Sequence, residues 1–314
     1  QRAEVADICD RADDLPPPVP RGAVVLANRR GTAPGLWLSS ALGEVVMLPG
    51  VPREMEGLLA HEVVPWLATR GAVRPIRSLV LRTTGVPESS LAERIAAVED
   101  RLAPLTLAYL PGIEGVDLRL TSWELPAAAA ADRLEQAAAA LRPLLGDHLY
   151  GTGDADLAAV LLDELVERRL TVAVAESCTG GLVGQRITEI PGSSAAFLGG
   201  VIAYANGVKQ GLAGVAEATI EAHGAVSDPV VREMAVGVAA ATGASSAVAV
   251  SGIAGPDGGS EDKPVGTVWF GFAVGGQIDS QRVVFPGSRA EVRGRAAQFA
   301  LHGLLRRIRA AAAG

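Results

Sequence analysis

The chain has 314 residues, with 35 acidic and 28 basic side chains and a formal net charge of −7 at pH 7. This length exceeds one ordinary hydrophobic core, so it predicts two or three domains. The acidic balance argues against nucleic acid as the main partner. Hydrophobic residues make up 49% of the sequence. No uninterrupted apolar run is long enough to cross a bilayer, so we expect no membrane partner.

Cysteine and histidine usage restricts the chemistry further. The two cysteines, Cys9 and Cys178, fit a reducing compartment, and no signal peptide is visible at the start. We therefore expect a cytoplasmic protein. The four histidines are scattered without the spacing of metal ligands, so we expect neither a metal site nor a Ser-His-Asp triad.

Residues 1–74 predict an incomplete α/β layer. Strands are indicated at residues 22–27 and 45–48, with a further short strand after a Gly-Pro turn between them. An apolar stripe at helical spacing then predicts a helix over residues 53–69. These strands are too few for a complete doubly wound sheet.

Residues 75–150 predict a compact α+β unit. Its elements are indicated by apolar periodicity. The predicted ranges are strands at 78–83, 105–109 and 116–123 and helices at 88–98 and 127–145. Gly112-Ile113-Glu114-Gly115 matches the Gly-x-x-Gly loop of nucleic-acid-binding KH modules. It lies between two strands, where a hairpin turn explains it, and it carries no basic residue, so we interpret this unit as structural.

The chemistry is expected between residues 171 and 210. A short buried strand at 171–175 is followed by a glycine turn that opens a helix, whose free N–H groups are suited to hold an anion. A second strand is predicted at 201–204, followed by a loop that carries Lys209. Only Lys209 and Lys263 are lysines among the 28 basic residues.

Lysine and arginine differ in one property that matters here. Lysine is able to lose its proton and act as a base, whereas arginine is not. This favours a chemical role for Lys209. The alternative is that both lysines occupy exposed loops without a chemical role.

Two later segments add candidate binding residues. A strand at 247–250 runs into the glycine-rich stretch 251–259, where the backbone is able to approach a ligand closely. Strands at 266–274 and 281–285 predict a hairpin. The last helix is predicted over residues 289–311 and places Arg289 in its first turn. A cation is unfavourable there unless an anion lies between, so Arg289 is a candidate phosphate ligand.

Five motifs in this order resemble the CinA family: AESCTGG, PGSSAAFLGGVIAYANGVK, HGAVSDPV, SGIAGPDGGSEDKPVGTVWFGF and FPGSR. The resemblance implies a three-layer α/β domain at residues 151–314 that deamidates nicotinamide mononucleotide (NMN). It also implies a KH-like α+β linker domain at 75–150. GTAPGLWL and LPGVPREM resemble the end of the family's molybdopterin-cofactor-biosynthesis-like α/β domain, which we expect at 1–74 in truncated form.

The family's reaction converts the NMN carboxamide to a carboxylate and releases ammonia, without a metal or cofactor. The resemblance assigns Ser194 as the nucleophile, Lys209 as its base and Tyr204 as their neighbour. Lys209 must then be neutral, which requires burial or a nearby cation to lower its pKa. We also expect a homodimer. The same match implies a substrate-binding set of Glu176, Ser177, Thr179, Gly180, Asn206, Ser251, Gly252, Gly255 and Arg289.

Several alternatives stay open. Ser193 is not separable from Ser194 by the residues alone. Ser177 is either a helix cap or a binding residue, and Cys178 is either a thiol nucleophile at a helix start or a small core residue. A nucleotide sensor without turnover is a second function, although the presence of Lys209 argues against it. An ADP-ribose pyrophosphatase acting through the first domain is a third, although no carboxylate cluster accompanies a glycine-rich loop there.

Overall fold

The structure, a computed structural model, describes residues 19–69 and 76–311. The chain divides into two compact units, residues 1–74 and 75–314. Cys9 lies outside the described residues. Both units combine sheets with helices, which confirms the predicted mixed α/β class. No helix within the described ranges is long and apolar enough to span a membrane.

The first unit is an antiparallel sheet followed by a helical rod. The sheet has the order β1 (Val24–Leu26), β2 (Gly35–Ser40), β3 (Gly43–Met47). The rod consists of α1 (Pro52–Leu58), a π-helical turn (Leu59–Val63) and α2 (Val64–Thr69). Leu26, Trp37, Leu58 and Val63 form the core. The predicted helix is confirmed, but the wider π turn rotates the apolar stripe, so Val64 and Leu67 are exposed.

The second unit begins with a four-stranded antiparallel sheet in the order β5–β6–β4–β7. Its elements are β4 (Arg77–Thr83), α3 (Glu88–Glu99), β5 (Thr106–Pro111), β6 (Val116–Ser122), α4 (Ala127–Leu145) and β7 (Leu149–Thr152). Leu91 and Ile95 of α3 and Leu141 of α4 are buried against Leu118 of β6. Strand β7 was not predicted, because it is only four residues long and ends in a Gly-Thr-Gly turn. Residue 150, the expected domain end, lies inside it.

The rest of the unit is built on a five-stranded sheet in the order β12–β11–β10–β8–β9. Strand β8 pairs in parallel with β9 and β10, while β11 and β12 are antiparallel. The strands are β8 (Val172–Glu176), β9 (Phe197–Ile202), β10 (Ser246–Gly252), β11 (Thr267–Val274) and β12 (Gln277–Val284). The helices are α5 (Leu157–Glu167), α6 (Leu182–Thr188), α7 (Asn206–Gly211), α8 (Glu217–His223), α9 (Asp228–Thr242) and α10 (Arg289–Ala311).

Helices cover both faces of this sheet. Val172 and Val174 of β8 lie in one core with residues of α5, α6 and α10, whereas Ala173 and Ala175 lie in a second core with residues of α8 and α9. This alternation follows from the two-residue period of a strand. The result is the predicted three-layer arrangement.

Two predictions near Lys209 are wrong in detail. The strand predicted at 201–204 is β9, which starts earlier. The pair Gly199-Gly200 weakened the sequence signal for its first half. In the structure, the register of β9 against β8 is irregular beside Val172. Lys209 lies on the short helix α7 and not on an exposed loop. Its side chain is only 2% exposed.

Candidate active site

The carboxyl ends of β8, β9 and β10 meet at one edge of the five-stranded sheet, with β8 in the middle. The chain leaves β8 through α6 on one face and reaches β10 through α8 and α9 on the other. In open α/β sheets, ligands bind in the crevice at such a switch point. Ser177 directly follows β8, Tyr204 follows β9, and Ser251 lies at the end of β10. The fold therefore gathers three of the predicted site residues at this edge.

Lys209 places a buried amine in this crevice, next to Ser177. Its Nζ lies 3.3 Å from Ser177 Oγ and donates to the carbonyl oxygens of Ala203 at 2.8 Å and Tyr204 at 3.0 Å. Within the described residues, no carboxylate forms an ion pair with it. Burial lowers the pKa of Lys209. A neutral amine here donates to both carbonyls and keeps its lone pair for the Ser177 hydroxyl.

Ser177 is held rigidly against the sheet. Its N–H donates to the carbonyl oxygen of Val250 at 2.9 Å, and its side chain is 8% exposed. The neighbouring Cys178 is also buried, and this burial raises the pKa of its thiol to about 12. A thiol with such a pKa stays protonated near neutral pH, so the geometry supports the core interpretation of Cys178.

Glu176 plays a different part from the predicted one. Its carboxylate accepts the N–H groups of Gly181, Val183 and Gly184 at 2.9, 3.1 and 2.8 Å. The side chain is 1% exposed. The start of α6 is thus already occupied by an anion from the chain itself. This corrects two expectations, because the Glu176 carboxylate is buried and already accepts three N–H groups, and the helix start is not free for a phosphate.

Arg289 joins two loops at the rim of the crevice. Its Nη1 donates to the carbonyl oxygen of Gly255 at 2.7 Å, and its Nη2 donates to the Tyr204 hydroxyl at 3.1 Å. The guanidinium has five N–H donors, so donors remain for an anion. Tyr204 itself is 60% exposed. These two side chains present donors at the open side of the site.

Arg293 was missed by the sequence reasoning. Its Nε donates to the carbonyl oxygen of Cys178 at 3.1 Å, and its Nη2 donates to that of Thr179 at 2.8 Å. It therefore fixes the turn that follows Ser177. The available signal was its spacing of four residues from Arg289 on one helix, which places both side chains on the same face.

The remaining predicted binding residues have mixed surroundings. Thr179 is fully buried, and its Oγ1 has no hydrogen-bond partner among the described residues. Ser251 donates its hydroxyl to the Ala225 carbonyl oxygen at 2.7 Å, so that group is already engaged. A Cβ on Gly252 would lie 2.8 Å from the carbonyl oxygen of Thr267, which makes Gly252 a packing requirement. Gly180 and Asn206 are exposed near the crevice.

Ser194 lies elsewhere. It is exposed in the one-turn helix Ser193–Ala195, which precedes β9, whereas Lys209 Nζ contacts the backbone that follows β9. At about 3.3 Å per residue, the intervening strand separates the two by roughly 20 Å. Within one chain, the structure therefore does not form the predicted Ser194–Lys209 pair. Ser177 occupies the position beside the lysine, because the turn after β8 and helix α7 meet at the same sheet edge.

The fold and site define a class of protein: a three-layer α/β domain with a buried Ser–Lys pair, preceded by a small two-layer α+β domain. Family models match both parts, the CinA C-terminal domain over residues 154–308 and the damage-inducible protein CinA KH domain over residues 78–151. No group of three or more potential metal-ligating His, Cys, Asp or Glu side chains occurs within residues 19–69 and 76–311.

Known relatives agree with these matches. A CinA-like protein of Gemmatimonas aurantiaca is 54% identical over 293 residues, which cover 92% of this chain and 68% of that protein. A CinA-like protein of Salinibacter ruber is 44% identical, with coverage of 89% and 69%. This chain belongs to the CinA family. The crystal structure of competence damage-inducible protein A from Klebsiella pneumoniae, 35% identical, covers 49% of this chain and 95% of its own, with a TM-score of 0.48.

Proposed function

We propose that this chain is a nicotinamide-nucleotide amidase that converts NMN to nicotinate mononucleotide and ammonia. The observation that carries the proposal is the buried Lys209 amine, 3.3 Å from Ser177 Oγ and without a carboxylate partner among the described residues. An unactivated amide requires a nucleophile and a base, and this pair supplies both. Family membership and the resemblance of its motifs support NMN as the substrate.

Ser177 and Lys209 divide the first half of the reaction. The neutral amine removes the Ser177 proton as Oγ attacks the carboxamide carbon, and the carbonyl oxygen becomes an oxyanion. N–H groups of the turn after Ser177, held by Arg293, are the proposed donors to that oxyanion. The Lys209 ammonium then returns the proton to the leaving nitrogen. The C–N bond breaks, ammonia departs, and an ester forms on Ser177.

The second half reverses these roles with water. Lys209 removes a proton from a water molecule that attacks the ester carbon, and Ser177 leaves with that proton. Burial helps both halves, because the ammonium form is disfavoured in the site and the base is regenerated after each proton transfer. The chemistry requires no redox step.

Substrate binding is assigned to the open rim. Arg289 is the proposed phosphate ligand, since it is exposed and has N–H donors beyond the two that are already used, and Tyr204, to which it donates, is proposed to contact the nucleotide from the same rim. Thr179 is retained as a proposed contact because its buried hydroxyl lacks a partner among the described residues. The substrate is an intracellular nucleotide, so we place the reaction in the cytoplasm.

We also propose that the chain forms a homodimer. Strand β9 is an edge of the five-stranded sheet. Leu198 and Ile202 on it, and Leu212 nearby in the chain, are 45, 57 and 60% exposed. Exposed edge strands with apolar side chains are usually covered. Light scattering of the purified chain should give twice the monomer mass; a monomer at micromolar concentration would refute this.

The decisive experiment is ammonia release from NMN by the whole chain and by Ser177→Ala and Ser194→Ala. We expect Ser177→Ala to lose activity by at least about 10³-fold while Ser194→Ala keeps most of it. Circular dichroism and thermal unfolding check that each variant is folded. Loss of activity only in Ser194→Ala would overturn the Ser177 assignment. NMN binding without ammonia release by the unmodified chain would overturn the amidase proposal itself.

A further inference from the structure

A cavity lies between the four-stranded sheet and the five-stranded sheet of residues 76–311. It measures about 350 Å³, and its walls come from the loop after β4, the β5–β6 turn, the end of β12 and the middle of α10. This volume falls in the usual range of small-molecule sites. None of the residues that line it belongs to the Ser177–Lys209 crevice. It is a separate site in the fold.

Most of the wall is apolar and partly aromatic. Val86, Val116 and Val283 line the cavity together with Phe285 and Phe299. The two phenyl rings lie 6.0 Å apart between centroids, with an angle of 69° between their planes. Phe270 already packs against both rings, at 6.1 and 4.6 Å between centroids, and the ring surface of Phe285 and Phe299 that lines the cavity suits edge-to-face or offset contact with an aromatic ligand. The body of a matching ligand is therefore apolar and flat.

Gln298 adds a polar group to this wall. It is 2% exposed, and its Oε1 accepts a hydrogen bond from Arg186 Nη1 at 3.1 Å. Arginine only donates, so the amide oxygen must be the atom that faces Arg186, and the orientation of the amide is fixed. Its Nε2 is buried and has no acceptor among the described residues. A buried donor without a partner is unfavourable, so an acceptor from a ligand would satisfy it.

The charges around the cavity favour an anion. Two charged side chains line it, Glu114 and Arg295. Glu114 is compensated by Arg82 at 3.1 Å and Arg186 at 3.2 Å. Arg295 has only a long contact of 3.7 Å with Glu291 among the described carboxylates, and it donates to a backbone carbonyl. The positive charge of Arg295 is the less compensated of the two.

We propose that this junction cavity binds a small aromatic carboxylate as an effector. The ring lies against Phe285 and Phe299, and the carboxylate accepts from Gln298 Nε2 and Arg295, which are three residues apart on α10 and so share a face. Arg289 and Arg293, on the same helix, hold the candidate active site. The effector role rests on the proposed amidase function, whereas the binding site does not.

Benzoate is the probe, and its binding to the whole chain is measured by saturation-transfer NMR and calorimetry. We expect measurable affinity, at least tenfold weaker binding of benzyl alcohol, and at least tenfold weaker benzoate binding by Gln298→Leu and Arg295→Gln. Val283→Phe, which fills the cavity, should abolish binding. Arg119→Gln, an exposed arginine on β6, is the matched control and should bind like the unmodified chain. Thermal unfolding verifies that the variants are folded.

Equal benzoate affinity in every variant, or no binding at millimolar benzoate, would overturn the site. The effector role has its own readout, which is NMN turnover with and without saturating benzoate. A change in turnover that disappears in Val283→Phe supports the role, and unchanged turnover at saturation overturns it. If the chain has no amidase activity at all, the binding measurements still decide whether the site exists.

Discussion

The crevice at the end of β8 and the junction between the two sheets of residues 76–311 both bury positive charge, but they compensate it differently. At the junction, Arg186 pairs with Glu114 at 3.2 Å and Asp156 at 3.3 Å. In the crevice, Lys209 contacts a hydroxyl and two carbonyl oxygens. A buried cation that lacks a carboxylate is driven toward its neutral form. The charge of Arg186 at the junction therefore stabilises the structure through ion pairs, whereas Lys209 in the crevice is available as a base.

The largest effect should come from Lys209→Met. We expect amidase activity to fall by at least about 10³-fold, because the base is removed. The free energy of unfolding should fall by about 1–3 kcal/mol, because the carbonyl oxygens of Ala203 and Tyr204 lose their donor, although methionine fills a similar volume. Ammonia release and urea unfolding measure the two quantities.

The control is Lys263→Met, which removes the other lysine. Among the described residues, its Nζ donates to the His223 carbonyl oxygen at 3.1 Å, on a partly exposed loop, so activity should persist.

The lowered pKa of Lys209 also sets a pH dependence. The unfolded lysine holds its proton to higher pH, so both activity and stability should rise as pH increases through the lowered value. Activity that stays constant as pH falls, while the chain remains folded, would contradict a lysine base.

The comparison of the crevice with the junction also explains which features the sequence was able to predict. Long periodic helices were predicted with correct bounds, as for Ala127–Leu145 and Arg289–Ala311, because their apolar spacing is a local signal. Lys209 was singled out by its rarity. Its contact with Ser177 joins residues 32 apart in sequence. No local pattern encodes that distance, and the resemblance pointed to Ser194 instead. Glu176 was misread because a carboxylate beside a glycine turn looks the same whether it caps a helix or faces a ligand.

The next largest effect should come from protonation of His302, which lowers the free energy of unfolding at acid pH. It is 2% exposed, and burial lowers its pKa to about 4, with Arg306 and His148 nearby and the Asp147 carbonyl oxygen on Nε2. The unfolded histidine binds a proton near pH 6.5 and the native one does not. Stability should therefore fall by up to about 3 kcal/mol as pH drops from 6.5 to 4.

Urea unfolding between pH 7 and 4 measures this slope. His302→Gln should remove most of it, although the substitution lowers stability at pH 7. His61→Gln changes an exposed histidine of the first unit and should leave the slope of the second unit intact. An unchanged slope in His302→Gln would show that other groups titrate there.

Glu176→Gln should have a smaller effect and separates capping from substrate contact. Glutamine keeps the shape but loses the charge that accepts three N–H groups, so we expect a loss of about 1–2 kcal/mol in unfolding free energy. KM for NMN should change by less than about threefold, since the carboxylate does not face the crevice. Glu221→Gln, on the exposed face of α8, is the matched control. A large rise in KM would restore Glu176 as a substrate ligand.

Arg186→Met tests the junction side of the comparison and should have the smallest effect. Its side chain is 16% exposed, but those of Glu114 and Asp156 are 45 and 41% exposed, so water solvates them once the cation is gone. Glu114 also keeps its ion pair with Arg82. We therefore expect a loss of about 1 kcal/mol, measured by urea unfolding, which is below the usual loss for breaking a fully buried pair.

The matched control is Arg142→Met, which breaks an exposed pair with Glu135 and should cost less than about 0.5 kcal/mol. Activity provides the sharper test of the contrast. Arg186 lies on α6, but its contacts are with Glu114, Asp156 and Gln298 and not with Ser177. Turnover should therefore stay within about threefold of the unmodified chain. If Arg186→Met abolished turnover without unfolding the chain, the two regions would be one functional unit, and the separation of structural charge from catalytic base would be wrong.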